Sequence, residues 1–219
     1  KPYYLIARDK NKKIRAIIPF FYLKNFCGKR LDSIPLSIYG GAVGKEIYVE
    51  KLVKKIFEIN QKLNCKYIII RQYPNKYFSI YYKKGMDKFE KKWTQIVQIK
   101  EPEILWNEIL KSNRNSIRKA INYNLKVEKS ESSKDLIDFH QMELITRKKF
   151  GDTTPSLEFF KTSWDKLHSK GYMEVFITKF KDKPVASCII YIFNKKVILA
   201  HVNSDNKYLH LRPNNLQLW

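Results

Sequence analysis

Ser33-Ile-Pro-Leu-Ser-Ile-Tyr39-Gly40-Gly41-Ala-Val-Gly44 follows two β-rich runs and leads into an amphipathic helix near Val49. A second stretch has the same plan. Asn203-Ser-Asp-Asn-Lys-Tyr-Leu-His-Leu-Arg212-Pro213-Asn214-Asn215 follows a pair of apolar strands and leads into Leu216-Gln-Leu-Trp219. A strand end feeding a helix N-terminus presents aligned N–H groups, and α/β folds hold anions and cofactors there. The repetition predicts two related α/β units, with function in a cleft between them.

Outward from the first stretch, Tyr3 to Arg8 and Ile14 to Tyr22 read as strands joined by a hairpin at Asp9-Lys-Asn-Lys-Lys13, with Pro19 at a bulge or an edge. Leu52, Ile56, Ile59 and Leu63 recur at helical spacing, which predicts a helix over 49–63. Tyr67-Ile-Ile-Ile70 reads as a buried central strand, and Trp93 to Ile99 alternates as a strand does. Tyr77 to Lys92 fits no single pattern. From Glu101 to Asn124 the period is helical, with Leu105, Ile109, Ile117, Ala120 and Ile121 on the apolar side. Lys111, Arg114, Arg118 and Asn122 fall together on the opposite side, with Lys119 beside them.

Leu125 to Lys129 then reads as a strand, followed by a helix capped by Ser133 and ended at Gly151. Pro155 and Ser156 open a further helix that Gly171 ends. Strands over 173–180, 185–193 and 197–203 are joined by hairpin turns at Lys181-Asp-Lys and Asn194-Lys-Lys. The fold class is α+β (α/β), with mixed, mostly antiparallel sheets flanked by helices. The boundary falls near residue 100. Residues 1–100 form an N-terminal unit that lacks its opening; residues 101–219 form a C-terminal unit with a bridging helix over 101–124. Both ends read as truncated.

The chain has 219 residues, with 14 Tyr, 13 Phe and 4 Trp, enough aromatic surface to exclude a disordered segment. Its net charge of +22 is either an electrostatic footprint for a polyanion or an anionic lipid surface or, for most of the lysines and the simpler reading, genome composition. Lysine dominates the basic residues, and Asn, Ile and Tyr are also abundant, as in AT-rich genomes. The arginines are the sharper clue to phosphate. Cys27, Cys65 and Cys188 are odd in number and far apart, which excludes a disulfide framework and a structural zinc site. His140, His168 and His210 are scattered and predict no metal. With no signal peptide, and with the longest apolar run (184–193) too short to span a bilayer, the expected location is the cytoplasm.

The order β-α-α-β-β-β-α resembles the GNAT acyltransferase unit, and a tandem pair of such units resembles the FemAB family of peptidoglycan aminoacyltransferases. Ser33-Ile-Pro-Leu-Ser-Ile-Tyr39-Gly40-Gly41 is similar to that family's S-x-P-x-S-x-Y-G-G turn. Trp106 with Arg114, Arg118, Lys119 and Ala120 is similar to its W-x-x-I…R-x-x-I-R-K-A helix. Phe150-Gly151, Pro155 and Phe159-Phe160 resemble its F-G…P…F-F junction. Pro184-Val-Ala and Arg212-Pro-Asn-Asn-Leu-Gln-Leu-Trp219 resemble its late strand and next helix.

The resemblance implies transfer of an amino acid from aminoacyl-tRNA to an amine of a lipid- or nucleotide-linked peptidoglycan precursor, with peripheral contact at the inner face of the membrane. It implies no bound cofactor. Other branches of the superfamily resemble acyl-CoA N-acyltransferases acting on a sugar, lipid or polyamine amine. These need a glycine-rich pyrophosphate loop, and Ser204 to Asn215 contains no glycine, which disfavours acetyl-CoA. The alternative of another class is a non-catalytic RNA- or membrane-surface-binding module driven by charge.

Aminolysis of an ester needs a neutral amine, aligned reactants and a stabilised oxyanion, and no covalent intermediate on the enzyme. Gly40, Gly41 and Gly44 either bring backbone close to an acceptor phosphate or form an ordinary strand-to-helix turn. Tyr39 either stacks on a sugar or base or edges the core. Lys111, Arg114, Arg118 and Lys119 form either a phosphate-binding ridge or a solvated helix face. His201, on the last strand, is either a general base or a satisfied buried histidine. Asn203, Asn214 and Asn215 either orient an amide or cap a helix; for Asn214 capping is the simpler reading.

Overall fold

A computed structural model describes residues 1–26, 28–73, 76–90 and 93–219. Cys27 and Lys92, named above, lie outside the described residues. The chain divides into two compact units, Lys1–Gln95 and Ile96–Trp219. Their sheets are mostly antiparallel and flanked by helices, the α+β class expected from the sequence.

The first unit is a five-stranded sheet. β1 (Pro2–Arg8), β2 (Ile14–Asn25) and β3 (Gly28–Asp32) are antiparallel neighbours. The short β4 (Val43–Gly44) pairs with β2, and β5 (Tyr67–Ile69) runs parallel to β3. The hairpin between β1 and β2 is set by Asp9, whose carboxylate accepts from the Asn11 and Lys13 amides and from Arg15 Nε. α1 (Glu46–Leu63) lays Val49, Leu52, Val53 and Ile56 over Ala16, Ile18, Phe20 and Leu31. Each buried aliphatic side chain there stabilises the unit by about 2 kcal/mol. The opposite sheet face leaves Tyr4, Ile6, Ile17 and Val43 exposed.

Pro19 occupies an edge-like position inside β2. Lys1 and Tyr22 exchange hydrogen bonds, so alternation makes Tyr4–Pro19 a wide, non-bonded pair and turns the missing donor away from β1. On that other side β3 stops at Phe21 and β4 starts at Ile17.

Two expectations for this region are corrected. The 67–70 run is no central strand: β5 lies at the end of the strand order, half-exposed, and among the described residues pairs with β3 alone. An apolar run without periodicity does not distinguish edge from centre. Residues 93–99 form no strand despite their alternation, and all are exposed. The ambiguous region contains a short helix, α2 (Phe78–Lys83), that buries Tyr81.

In the second unit β6 (Lys126–Lys129), β7 (Met173–Phe180), β8 (Lys183–Phe193) and β9 (Lys196–Ser204) form an antiparallel sheet in sequence order. Both two-residue hairpin loops have positive φ throughout, at Lys181 (50°) and Asp182 (61°) and at Asn194 (47°) and Lys195 (59°). That is the type I′ geometry whose twist matches the flanking strands. α5 (Leu136–Lys149) and α6 (Leu157–Leu167) cover one face with Leu136, Phe139, Met142, Phe160 and Trp164. On Val185 pack Ala120, Leu125 and Leu211, with Leu216 of α7 (Pro213–Leu218).

The single helix expected over 101–124 is two helices, α3 (Pro102–Glu108) and α4 (Lys111–Asn122), with Ile109 in extended conformation between them. Ile121, placed on the apolar face from the sequence, is 52% exposed. The cap before α5 is Ser132, not Ser133; its hydroxyl accepts from the Lys134 amide and opens a 3-10 turn that runs into the helix. The helix expected to open at Pro155 and Ser156 begins at Leu157, with Ser156 as its cap.

Candidate functional site

The glycine turn of the first unit is held by side chains from downstream. The Ser33 amide donates to the Ile69 carbonyl, and the Ser33 hydroxyl accepts from the Arg71 amide. Gly40 N–H donates to the Arg71 carbonyl, Ala42 N–H to Gln72 Oε1 (2.9 Å) and Gly44 N–H to the Tyr77 hydroxyl (3.2 Å). The Tyr81 hydroxyl donates to the same Gln72 oxygen at 2.6 Å. These N–H groups are therefore spent inside the protein and do not face an anion.

Glycine is required for close packing instead. A Cβ on Gly41 would stand 2.2 Å from Gln72 Oε1, and one on Gly44 (φ +146°) 2.3 Å from the Arg15 carbonyl. Tyr39 is 38% exposed and packs on Tyr73, with ring centroids 5.3 Å apart. Asp32, at the end of β3 and fully buried, pairs with the Arg71 guanidinium and lies 3.7 Å from Arg30 Nε.

The basic residues of α4 divide into two kinds. Arg114 folds back on α3: its Nη1 lies 2.6 Å from the Ile109 carbonyl, 3.1 Å from Trp106 and 3.3 Å from Asn107. A guanidinium at a helix C-terminus satisfies orphan carbonyls and complements the dipole. This contact exists because the helix breaks at Ile109, and it removes Arg114 from the solvated ridge. Arg118 stays exposed, its guanidinium 5.3 Å over the Trp106 ring. Lys111 is exposed, and Lys119 lies 5.8 Å over Tyr123.

Trp106 in turn meets Trp219 edge-on at 5.0 Å. Asn214 and Asn215 line an open groove of ≈ 250 Å³ with Asn113, Ile117 and Trp219. Asn214 does not cap α7. Arg212 occupies the cap position in the left-handed region, and Asn214 Nδ2 donates to Ser204 Oγ, tying α7 to the end of β9.

His201 and Asn203 lie two residues apart on β9 and share a sheet face, opposite Ile189 and Ser187 of β8. Asn203 is 1% exposed, and among the described residues neither its amide nor the fully buried Ser187 hydroxyl across from it has a hydrogen-bond partner. His201 Nδ1 lies 3.0 Å from Oε1 of Glu143, a wholly buried carboxylate on α5. Arg147, one helical turn on, donates from Nε to the same oxygen at 2.7 Å. Burial pushes the Glu143 carboxyl up, but the hydrogen bonds and charges of His201 and Arg147 outweigh it and hold the pKa down to about 2. Phe139 and Phe160 meet the imidazole edge-on at 5.9 and 5.2 Å.

Glu143, Ser187 and Gln72 were not foreseen. Glu143 did carry a signal. It stands on the stripe set by Leu136 and Phe139, so its carboxylate falls on the buried side of α5 and needs an internal partner. Nothing local marked Ser187 or Gln72.

No protein-family model matches the chain. The Lipid II:glycine glycyltransferase of Staphylococcus haemolyticus is 31% identical over 107 residues, 48% of this chain and 25% of that protein. The protein of the same name from Staphylococcus saprophyticus is 27% identical over 136 residues, 59% of this chain and 32% of that protein. The matches thus span between a quarter and a third of these relatives' length. Among solved structures, FemX superposes on 99% of this chain and 75% of its own with a TM-score of 0.59 at 13% identity. A C-terminal domain (DUF2156) of a putative lysylphosphatidylglycerol synthetase from Agrobacterium fabrum covers 95% of this chain and 66% of its own, with a TM-score of 0.50 at 12% identity.

The fold is the α+β, two-sheet fold of FemX. About half of the chain is similar in sequence to Lipid II:glycine glycyltransferases, and this likeness falls within the fold it shares with FemX.

Proposed function

We propose that the chain carries an aminoacyltransferase activity of FemAB type, moving an amino acid from aminoacyl-tRNA to an amine of an anionic, lipid- or nucleotide-linked peptidoglycan precursor at the inner face of the membrane. The observation that supports it most is the likeness to Lipid II:glycine glycyltransferases within a fold match that runs the length of the chain.

In this reading the acceptor amine attacks the ester carbonyl of the charged tRNA. The amide C–N bond forms, the ester C–O bond breaks, and the ribose hydroxyl leaves with the proton. His201 takes the proton from the attacking amine, because its Nε2 makes no hydrogen bond among the described residues. Asn203, adjacent on the same face, offers an unspent amide to orient the reacting groups. Exposed Lys111, Arg118 and Lys119 supply positive charge for the polyanionic donor. The segment after β9 favours this donor over acyl-CoA. It contains no glycine, and a 3-10 helix over Asn206–Leu211, capped by the Asp205 carboxylate, draws its amides inward.

The test is incubation of the full-length protein with charged tRNA and lipid-linked or nucleotide-linked muropeptide. Amide product from one amino acid of a panel is expected. No transfer by folded protein across the panel refutes the reading, and saturable heat stabilisation by acetyl-CoA would favour the acyl-CoA alternative.

A further inference from the structure

We propose that Glu143 is the positioning residue for His201: its carboxylate accepts a hydrogen bond from Nδ1–H, so that the neutral imidazole keeps its lone pair on Nε2. This rests on the reading above that His201 faces the acceptor amine. Oε1 of Glu143 lies 3.0 Å from Nδ1, and an ionised carboxylate only accepts, so Nδ1 is the protonated nitrogen.

The carboxylate is itself fixed. Arg147 Nε holds the same oxygen at 2.7 Å, and Arg147 Nη1 reaches Asp152 at 3.5 Å, so the guanidinium is anchored at both ends. Phe139 and Phe160 meet the ring at 86° and 84° and block its rotation about the bond to the chain. The Glu143 side chain is fully buried whereas that of His201 is 13% exposed, so within the pair only the imidazole reaches solvent. A neutral imidazole in water prefers the opposite tautomer, so this arrangement selects the one that can accept a proton from outside.

The experiment is 15N NMR of the full chain with labelled histidine, beside kinetics of the transfer. In the wild-type protein above the titration range, His201 is expected as the Nδ1–H tautomer. A predominantly Nε2–H ring overturns the proposal without any variant having to fold. In Glu143→Gln the amide offers a donor as well as an acceptor, so the tautomers mix and kcat falls on the order of 10–100-fold with KM little changed, a share of what a general base supplies. Glu143→Asp keeps the charge and should recover part of the loss. Unchanged tautomer and unchanged kcat in a folded Glu143→Gln protein also overturn the proposal. The reading of His201 as the base fails separately: His201→Gln would then leave kcat intact while the wild-type tautomer stays Nδ1–H.

Discussion

Replacing Arg114 by alanine separates a structural cation from a binding one. Arg114 was placed on a phosphate ridge by its spacing, yet its Nη1 approaches three carbonyls at the end of α3. One nitrogen carries only two N–H bonds. The Ile109 contact at 2.6 Å and the Trp106 contact at 3.1 Å are therefore the real ones, with Asn107 sharing. Hydrogen bonds from a charged donor contribute about 1.5–3 kcal/mol each when buried, and these are only partly buried, so about 2 kcal/mol in total is expected. For a unit of this size that lowers Tm by about 5–10 °C.

Arg118→Ala removes an exposed cation–π contact worth about 0.5–1 kcal/mol and should barely move Tm. Differential scanning calorimetry of both variants measures the contrast, with Arg114→Lys as the control that keeps charge and loses the fork. Filter binding of tRNA across a salt series completes it: Arg118→Ala should lower the salt slope by about one, and Arg114→Ala should leave it unchanged. The reasoning is refuted if Arg114→Ala is as stable as wild type yet loses tRNA affinity.

Acid should weaken the second unit through Glu143. Its carboxyl has an ordinary pKa of 4.5 and is held down to about 2 in the folded state, so its contribution is complete above 4.5 and lost as pH falls towards 2. That contribution is about 3 kcal/mol, and urea titrations of wild type and Glu143→Gln should converge over this window. Gly44→Ala should destabilise the first unit by about 3 kcal/mol or more. Its Cβ meets the Arg15 backbone at 2.3 Å and its φ is +146°, so neither a rotamer nor a small shift relieves it; a lower urea midpoint with unaltered m is the readout.

What the sequence conveys is local. Lys181-Asp182 and Asn194-Lys195 were legible as hairpin turns because turn chemistry acts over two residues. The 67–69 strand was assigned correctly and its place in the sheet wrongly, since a neighbour is set by register and not by the strand's own residues. The break at Ile109 carries no Pro or Gly; it is accompanied by Arg114 folding back five residues later. Of the candidate site, His201 was legible as a residue but not as half of a pair, because Glu143 lies 58 positions earlier on another element.

The arginines bear most directly on how a polyanion is held. By residue type they are the sharper clue to phosphate, but Arg15 serves Asp9, Arg71 serves Asp32, Arg147 serves Glu143 and Arg114 serves α3. The planar fork that favours bidentate phosphate contact is equally suited to internal carboxylates and carbonyls, and folding uses it there first. Attraction of a polyanion then falls mainly to lysine, a strongly hydrated point charge that gives long-range pull and little geometric selection. Binding of tRNA should accordingly weaken steeply with salt, by about a thousandfold or more between 50 and 200 mM if six or more phosphates are contacted, and single Lys→Ala changes should each cost little. In the proposed reading, discrimination between charged and uncharged tRNA then arises at the acyl end, close to His201 and Asn203. Equal affinity for the two at every salt concentration, with transfer intact, would show that selection occurs in the chemical step instead of in binding.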